Sequence, residues 1–447
     1  MHFSQRTSWN TEETDLARAY RLRRAAGLPI ADLTASNPTR CGFAYPRALL
    51  DALSDPRALD YDPQPRGLLP AREAVCHYYA GHGVTVDPSQ IILTTSTSEA
   101  YSFLFRLLCD SGDEIVVLQP GYPLFDFLAG LDDVQLKFAP FVYDHGWQID
   151  FNGLRKALSP RTRAIVLVHP NNPTGHFTKE WEAAELATIC REANLSLIVD
   201  EVFLDYAAVN KPGAPGPGSL RTGPRPRGGD PSSLGTGDSA GSAQPGAPRP
   251  SHLGTWDTTG PASPSSFAAG ITGIPVFTVS GLSKIAGLSQ MKAGWIVATG
   301  PELEAALDRL EVIADTFLSM NAPVQWALSA WLASAPEIQN QINQRVAANL
   351  AELDRLLRTV PAVDRLLFEG GWYAVLRIPA VEADERTVLN LLEQGAWVHP
   401  GYFFSLPDSG WLVVSLLAPG LEFSHGAGIM IDYFRKHQRS NTDGGGV

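Results

Sequence analysis

The sequence predicts an α/β fold: a mainly parallel sheet sandwiched by helices in a large domain, with a smaller α+β domain beside it. Three observations carry this. Short β-rich runs alternate with helical patterns between about residues 90 and 300. Among them IVVL, AIVLV and SLIV are continuously apolar, as strands covered by helices on both faces are. Beyond about residue 300 the texture changes to long helices with one strand-like run.

In chain order, residues 11–26 read as a helix. It is acidic in its first turn and carries Arg21, Arg23 and Arg24 toward its end, the order a helix dipole favours. Strands are expected at 91–95, 114–118, 164–169, 195–200, 276–280 and 295–298, each followed by Gly, Pro, Asn or Ser punctuation. A long helix is expected over 323–360, a strand in GGWYAVLRI, and a last helix near 426–436. The expected domains are 1–45, an N-terminal helix and arm belonging partly to the small domain; 46–300, the large domain; and 301–447, the small one.

The large domain is interrupted. Between residues 211 and 266, 12 Gly and 11 Pro fall in 56 residues, and Leu220, Leu234, Leu253 and Trp256 are the only large apolar side chains. These are too few to offset an ordering entropy of roughly 1–2 kcal/mol per residue, so a disordered insertion is expected.

Composition narrows the function. A formal net charge of −12 offers no excess of cations to neutralise phosphates, so nucleic acid is not an expected partner. No apolar run approaches the ~20 residues of a membrane helix, so no membrane is expected either. The first residues have neither a signal-peptide nor a transit-peptide pattern, and a cytoplasmic location follows. Cys41, Cys76, Cys109 and Cys190 lie far apart with no CxxC pair, which argues against a disulfide framework and a metal site.

Four segments carry chemistry. In SGLSKIAGLSQMKAG, Lys284 leaves an apolar strand among small residues, where desolvation lowers an amine pKa as a Schiff-base lysine requires; a strand-end surface lysine is the alternative. HPNNPTG follows an apolar strand and aims the Asn172 amide into the crevice at its carboxyl end, unless it is a plain turn. LIVDEVFLDY ends a buried strand in Asp200, a carboxylate that needs a cationic partner, from a ligand or from an internal salt bridge. LTTSTSEAYSFLFRLL leads from strand to helix through hydroxyls, an anion site or a simple helix cap.

A lysine for an imine, a carboxylate for a pyridinium nitrogen, an amide for a phenolate and a helix start for a phosphate together describe pyridoxal 5′-phosphate. In these residues and their order the chain resembles the fold type I pyridoxal-phosphate enzymes, specifically the class I/II aminotransferases related to aspartate aminotransferase, from about Leu33 to the C-terminus without the insertion. The resemblance implies that Lys284 forms the Schiff base and shuttles the proton, that Asp200 keeps the pyridine nitrogen protonated, and that Asn172 bonds the phenolate oxygen. It places Tyr122 on the ring, and Ser96, Thr97, Ser98, Ser283 and Lys292 at the phosphate. It also implies that Tyr61 reaches the phosphate of a neighbouring subunit, making a homodimer with shared active sites, and that Ser36 and Asn37 cover the substrate side.

This chain departs from the family pattern at several positions. Lys292 replaces an arginine that grips phosphate with two nitrogens. Gly281 replaces a phosphate-binding serine, and Phe203 a tyrosine that donates to the phenolate. Val413 stands where an arginine usually pairs with the substrate carboxylate; Arg377 is the nearest substitute by sequence, an ion-pair arginine being its other reading. The expected activity is ping-pong transfer of an amino group from an amino acid to a 2-oxo acid. The alternative is a pyridoxal-phosphate lyase or decarboxylase, since one fold hosts several chemistries. A non-catalytic sensor is disfavoured by the acidic charge and the retained Lys284.

Overall fold

Alternate residues of the apolar runs face opposite layers of helices. Val116, Leu118, Ile165, Leu167, Leu197 and Val199 join one hydrophobic cluster, while Ile115, Val117, Ala164, Val166 and Ile198 join another. Each fully buried side chain of this size is worth about 1.5–3 kcal/mol, so the sheet is fixed from both sides.

The computed structural model describes residues 1–123, 125–208, 265–318, 320–407 and 409–443. Its large sheet contains β1 (Ile91–Thr94), β2 (Glu114–Gln119), β3 (Gln135–Tyr143), β4 (Trp147–Ile149), β5 (Thr162–Val168), β6 (Ser196–Asp200), β7 (Val276–Gly281) and β8 (Gly294–Thr299). The order across the sheet is β1-β8-β7-β6-β5-β2-β3-β4. Neighbours from β7 through β3 run parallel; β8 is antiparallel to both β1 and β7, and β4 closes the far edge in a hairpin with β3.

The β3–β4 hairpin is the part of the sheet that sequence periodicity does not announce. QLKFAPFVY mixes exposed and buried positions and contains Pro140, which lacks the N–H a central strand needs. Other elements differ at their ends. The first helix, α1, is Asp15–Ala25 rather than 11–26, because the Thr14 side chain accepts from Ala17 N and starts it there. Three helices reach the site or its supports: α2 (Thr97–Leu108), α3 (Glu180–Ala193) and the single turn α4 (Leu282–Ile285). The long helix α5 spans Ala322–Leu357, and the last helix α6, Gly420–Asp443, is twice as long as its apolar stripe suggests.

A second sheet contains β9 (Asp364–Arg365), β10 (Tyr373–Arg377), β11 (His399–Pro400) and β12 (Trp411–Ser415), in the order β9-β10-β12-β11. The N-terminal stretch joins these late elements: Ala31 and Asp32 pair with Ala396 and Trp397, and Ser415 N donates to the Leu33 carbonyl at 2.7 Å.

Most of the expected insertion, 211–264, lies outside the described residues. Its flanks are tied down. Ala208 N donates to the Glu369 carbonyl at 2.8 Å. Ser266, the last residue of the expected insertion, is buried and donates through Oγ to Glu201 at 2.7 Å, while Phe267 N donates to the other Glu201 oxygen at 2.5 Å. Among the described residues no helix is long and apolar enough to cross a membrane.

Candidate active site

The strand registers bring the four chemical segments to one edge of the sheet. Thr94 at the end of β1 pairs with Gly294, which pairs in turn with Gly281 at the end of β7. Asp200, ending β6, stands between Val279 and Val168. Strands lie about 4.8 Å apart, so the start of α2, the turn α4 with Lys284, Asp200 and the turn after β5 occupy neighbouring places at the carboxyl edge.

Lys284 is enclosed by rings. Its Nζ lies 5.1 Å from the Trp372 ring centre and 5.8 Å from that of Phe203. Burial lowers its amine pKa, and the Asp200 carboxylate only partly opposes this. Tyr206 holds the backbone beneath, donating through its hydroxyl to the Lys284 carbonyl at 2.6 Å.

Asp200 accepts from Val202 N at 3.0 Å and from the Tyr101 hydroxyl at 3.0 Å. Its burial outweighs these donors and Lys284, and pushes its pKa up to about 6. A carboxylate under that strain favours a further cation beside it.

The turn after β5 contains cis peptides at His169–Pro170 and Asn172–Pro173. Asn171 is consumed by the turn, accepting from Thr174 N and Oγ1. Asn172 is not: its Oδ1 is buried without a partner, beside Phe203, Gly371 and Tyr373. A buried amide left unpaired is costly; its N–H, bonded to nothing among the described residues, is the donor a phenolate oxygen would accept from, while Oδ1 suits a donor.

At the expected phosphate end, Ser96 caps α2, its Oγ accepting from Glu99 N at 3.2 Å. Glu99 turns back to accept from Thr95 N at 2.7 Å. Thr97, Ser98, Ser283 and Lys292 make no side-chain hydrogen bond or ion pair among the described residues, leaving their donors free. Lys292 holds a left-handed backbone, φ 55°, two residues before β8 begins. Ser280 is fully buried on the same face of β7 as Thr278, so it does not replace the serine absent at Gly281.

Tyr122 is 47% exposed in the loop after β2, and its hydroxyl is raised by burial and by the Asp200 charge. Tyr373 lies beside Ser36, and its burial, with Tyr122 adding a little, raises its pKa. Asn37 is spent as the cap of a short turn, accepting from Thr39 N and Oγ1. Phe203 meets Trp372 edge to face at 5.1 Å, so an aromatic edge stands where the family pattern has a hydroxyl.

Two expected residues are not brought to Lys284. Tyr61 is 83% exposed on a loop beside Leu318 and Met320. Arg377 lies four residues past Tyr373 on β10, roughly 13 Å along the strand. It is exposed, pairs with Asp364 at 3.3 Å, and lines a separate 560 Å³ cleft with Phe141 and Trp411. Val413 is fully buried between Val375 and His399. Tyr101, Tyr206, Trp372 and Tyr373 were not singled out by sequence, since their partners are distant in the chain.

Comparison with known proteins agrees with the fold. The sequence pattern of the family described as "Aminotransferase class I and II" matches residues 44–222 and 254–420. Glutamate-pyruvate aminotransferase AlaA of Escherichia coli K12 is 26% identical over 395 residues, covering 85% of this chain and 84% of that protein. Alanine aminotransferase of Mycobacterium tuberculosis H37Rv is 25% identical over 387 residues, covering 82% and 76%. In fold, the chain is similar to alanine aminotransferase from Pyrococcus furiosus, with TM-score 0.78 and 20% identity over 97% of this chain and all of that one. An aspartate aminotransferase mutant from Thermus thermophilus gives TM-score 0.75 at 20% identity, covering 97% and 99%. The lyase alternative is not favoured by these relatives. With the fold, the ordered motifs and more than half of its length matched, this chain belongs to the class I and II aminotransferase family and is an enzyme that transfers amino groups.

Proposed function

We propose that this enzyme works with pyridoxal 5′-phosphate, moving an amino group from an amino acid to a 2-oxo acid in two half-reactions at Lys284. The observation that carries this is the meeting of a desolvated lysine amine, the carboxylate of Asp200 and the unbonded amide of Asn172 at adjacent strand ends. The residues present fit the cofactor. Asn172 has an amide to spend, Asp200 has a carboxylate raised for want of a cation, and Thr97, Ser98, Ser283 and Lys292 offer free donors at a helix start. The bound cofactor supplies an electron sink for the carbanion formed at the substrate's α-carbon.

The chain's own groups do the rest. Lys284 would hold the cofactor and carry the proton; Trp372 and Phe203 keep water from its amine. Tyr122 would cover the ring, Ser36 and Asn37 would border the substrate side, and the hydroxyls from Ser96 to Ser98 would hold the phosphate with Lys292.

Alanine or glutamate as donor, with pyruvate among the acceptors, is the first pair to test, because the relatives at 25–26% identity carry those names. We further assign a cytoplasmic homodimer. Tyr61, with the exposed Leu59 and Leu318 near it, supports this as a surface suited to a second copy. The test is to purify the protein with cofactor, add single amino acids, and follow the cofactor's absorbance together with oxo acid release. Release of carbon dioxide or ammonia in place of an oxo acid would sink the proposal.

A further inference from the structure

Beside the site, and unused by the chemistry above, lies a buried charge cluster. His176 Nε2 meets Glu182 Oε2 at 2.8 Å, and its Nδ1 lies 3.4 Å from Glu369 Oε2. Glu369 Oε1 pairs with Lys179 Nζ at 2.5 Å, and its Oε2 accepts from Phe177 N at 3.0 Å. Glu182 also accepts from Ile149 N and Lys179 N. His169 stands next to the cluster, its Nδ1 accepting from Thr178 N at 3.2 Å.

The cluster binds two segments far apart in sequence. Residues 176–179 continue the turn that carries Asn172. Glu369 opens the segment 369–373, whose next residues press on that turn: a Cβ on Gly175 would strike the Gly370 carbonyl, and one on Gly370 would lie 2.5 Å from both Phe177 Cε2 and the Tyr206 carbonyl. Gly371 N donates to the Tyr206 carbonyl at 2.8 Å, and the Tyr206 hydroxyl returns to the Lys284 carbonyl. After Gly371 comes Trp372, whose ring lies over Lys284 Nζ. Gly370 and Gly371 have no side chains to hold this stretch; backbone bonds from Ala208 N to the Glu369 carbonyl and from Leu416 N to the Trp372 carbonyl, both 2.8 Å, fix its ends, and the Glu369 carboxylate is the side chain that ties it to the Asn172 turn.

We propose that Glu369 is a positioning residue: by binding His176, Phe177 and Lys179 it latches segment 369–373 onto the Asn172 turn and so holds Trp372 against the Lys284 amine. The electrostatics agree with the geometry. Burial alone would lower the His176 pKa, but Glu182 and Glu369 reverse this and raise it, so the two carboxylates favour the protonated ring between them. Burial alone would raise Glu369, but His176 and Lys179 pull it down to about 2. At Lys284, burial lowers the amine pKa and outweighs the Asp200 charge that opposes it, and the Trp372 ring is part of what buries the amine. Loosening the latch admits water to the amine and raises its pKa.

The inference rests on Lys284 being the reactive lysine, and the test keeps the two apart. Reductive methylation of the cofactor-free chain with carbon-13 formaldehyde reports each lysine by NMR, and the Lys284 signal is the one missing from Lys284→Arg. Asp200 is the charged group facing this amine, and it is unchanged in all variants compared. Glu369→Gln is expected to raise the Lys284 midpoint by about one pH unit, a tenfold change in neutral amine at a given pH. Lys179→Met, a change at a half-exposed side chain, is expected to raise it less, and it decides the matter if Glu369→Gln does not fold. An unmoved midpoint together with a lower melting temperature overturns the proposal, because the cluster would then be structural only. Separately, borohydride reduction of the cofactor-loaded protein and peptide mapping must place the cofactor on Lys284; failure there overturns the functional reading and leaves the latch measurement standing.

Discussion

The Tyr101 hydroxyl donates to Asp200 Oδ2 at 3.0 Å across 99 residues of sequence, yet this bond does not compensate the carboxylate's burial. With Val202 N as the other donor and Lys284 nearby, the Asp200 pKa still rises to about 6. The cofactor-free chain therefore carries a carboxylate that is more comfortable protonated.

That imbalance has a definite pH sign. The folded pKa, about 6, lies above the unfolded value of 3.8, so the folded state holds the proton more tightly. Stability of the cofactor-free chain should fall as pH rises from about 4 to 6, and the full penalty should be present above that window. Two pH units correspond to roughly 3 kcal/mol, so Asp200→Asn should stabilise the cofactor-free chain at pH 7 by up to about that amount, and hardly at pH 4. Urea midpoints at both pH values measure it. Glu201, raised to about 7 by burial and in smaller part by the Asp200 charge, contributes in the same direction, and Asp200→Asn relieves that smaller part as well, which adds to the gain at pH 7. Equal stability of the two proteins at pH 7 would contradict the assignment.

Restoring the two missing phosphate contacts should have opposite outcomes. Lys292 already holds a left-handed backbone, so arginine adds no new strain and regains a two-nitrogen grip. Lys292→Arg should tighten cofactor binding roughly threefold or more. At Gly281 an added Cβ would lie 2.8 Å from the Ala293 carbonyl and 3.0 Å from Gly294 Cα, both backbone atoms that cannot swing away. Gly281→Ser should thus destabilise by about 1–3 kcal/mol and gain no affinity. Cofactor titration and thermal melting of the two variants provide the check.

Arg377→Ala should alter the half-reaction with an amino donor by less than about twofold. The side chain is exposed, and its pair with Asp364 is of a kind worth about 0–1 kcal/mol. A loss of tenfold or more in single-turnover rate at low donor concentration would instead make Arg377 the carboxylate anchor.

A subunit interface built around Tyr61 should show itself by concentration. Sedimentation of the parent protein should give a dimer, and Tyr61→Ala should weaken cofactor binding about tenfold while the dimer persists, since one lost phosphate contact of a charge-assisted kind is worth about 1.5 kcal/mol. A monomeric parent with full cofactor affinity would refute the shared site.

Sequence legibility followed physical range. Strands buried on both faces, such as Ile115–Leu118 within β2, are continuous apolar runs and stand out. Gln135–Tyr143, next to the edge, does not, because one face is largely exposed and Pro140 breaks the pattern. Lys284, Asp200 and Asn172 were legible because each follows an apolar strand within a few residues. Tyr101, Tyr206, Trp372 and Glu369 were not, since each acts on a partner that only the folded chain brings near. Ser96 shows a limit of another kind: one hydroxyl serves as helix cap and also stands in the expected anion site, and sequence does not separate the roles.

The anchored flanks of the insertion also bear on how this gene product can be altered. Ala208 is held by the Glu369 carbonyl, and Ser266 and Phe267 by the Glu201 carboxylate, so each end is secured by the catalytic body itself. Joining two fixed ends by a flexible segment loses entropy only logarithmically, about 0.6 kcal/mol for each doubling of length. Between these anchored residues a shortened linker or a grafted reporter domain is therefore expected to leave Lys284 and its neighbours in register, which activity of such variants would check.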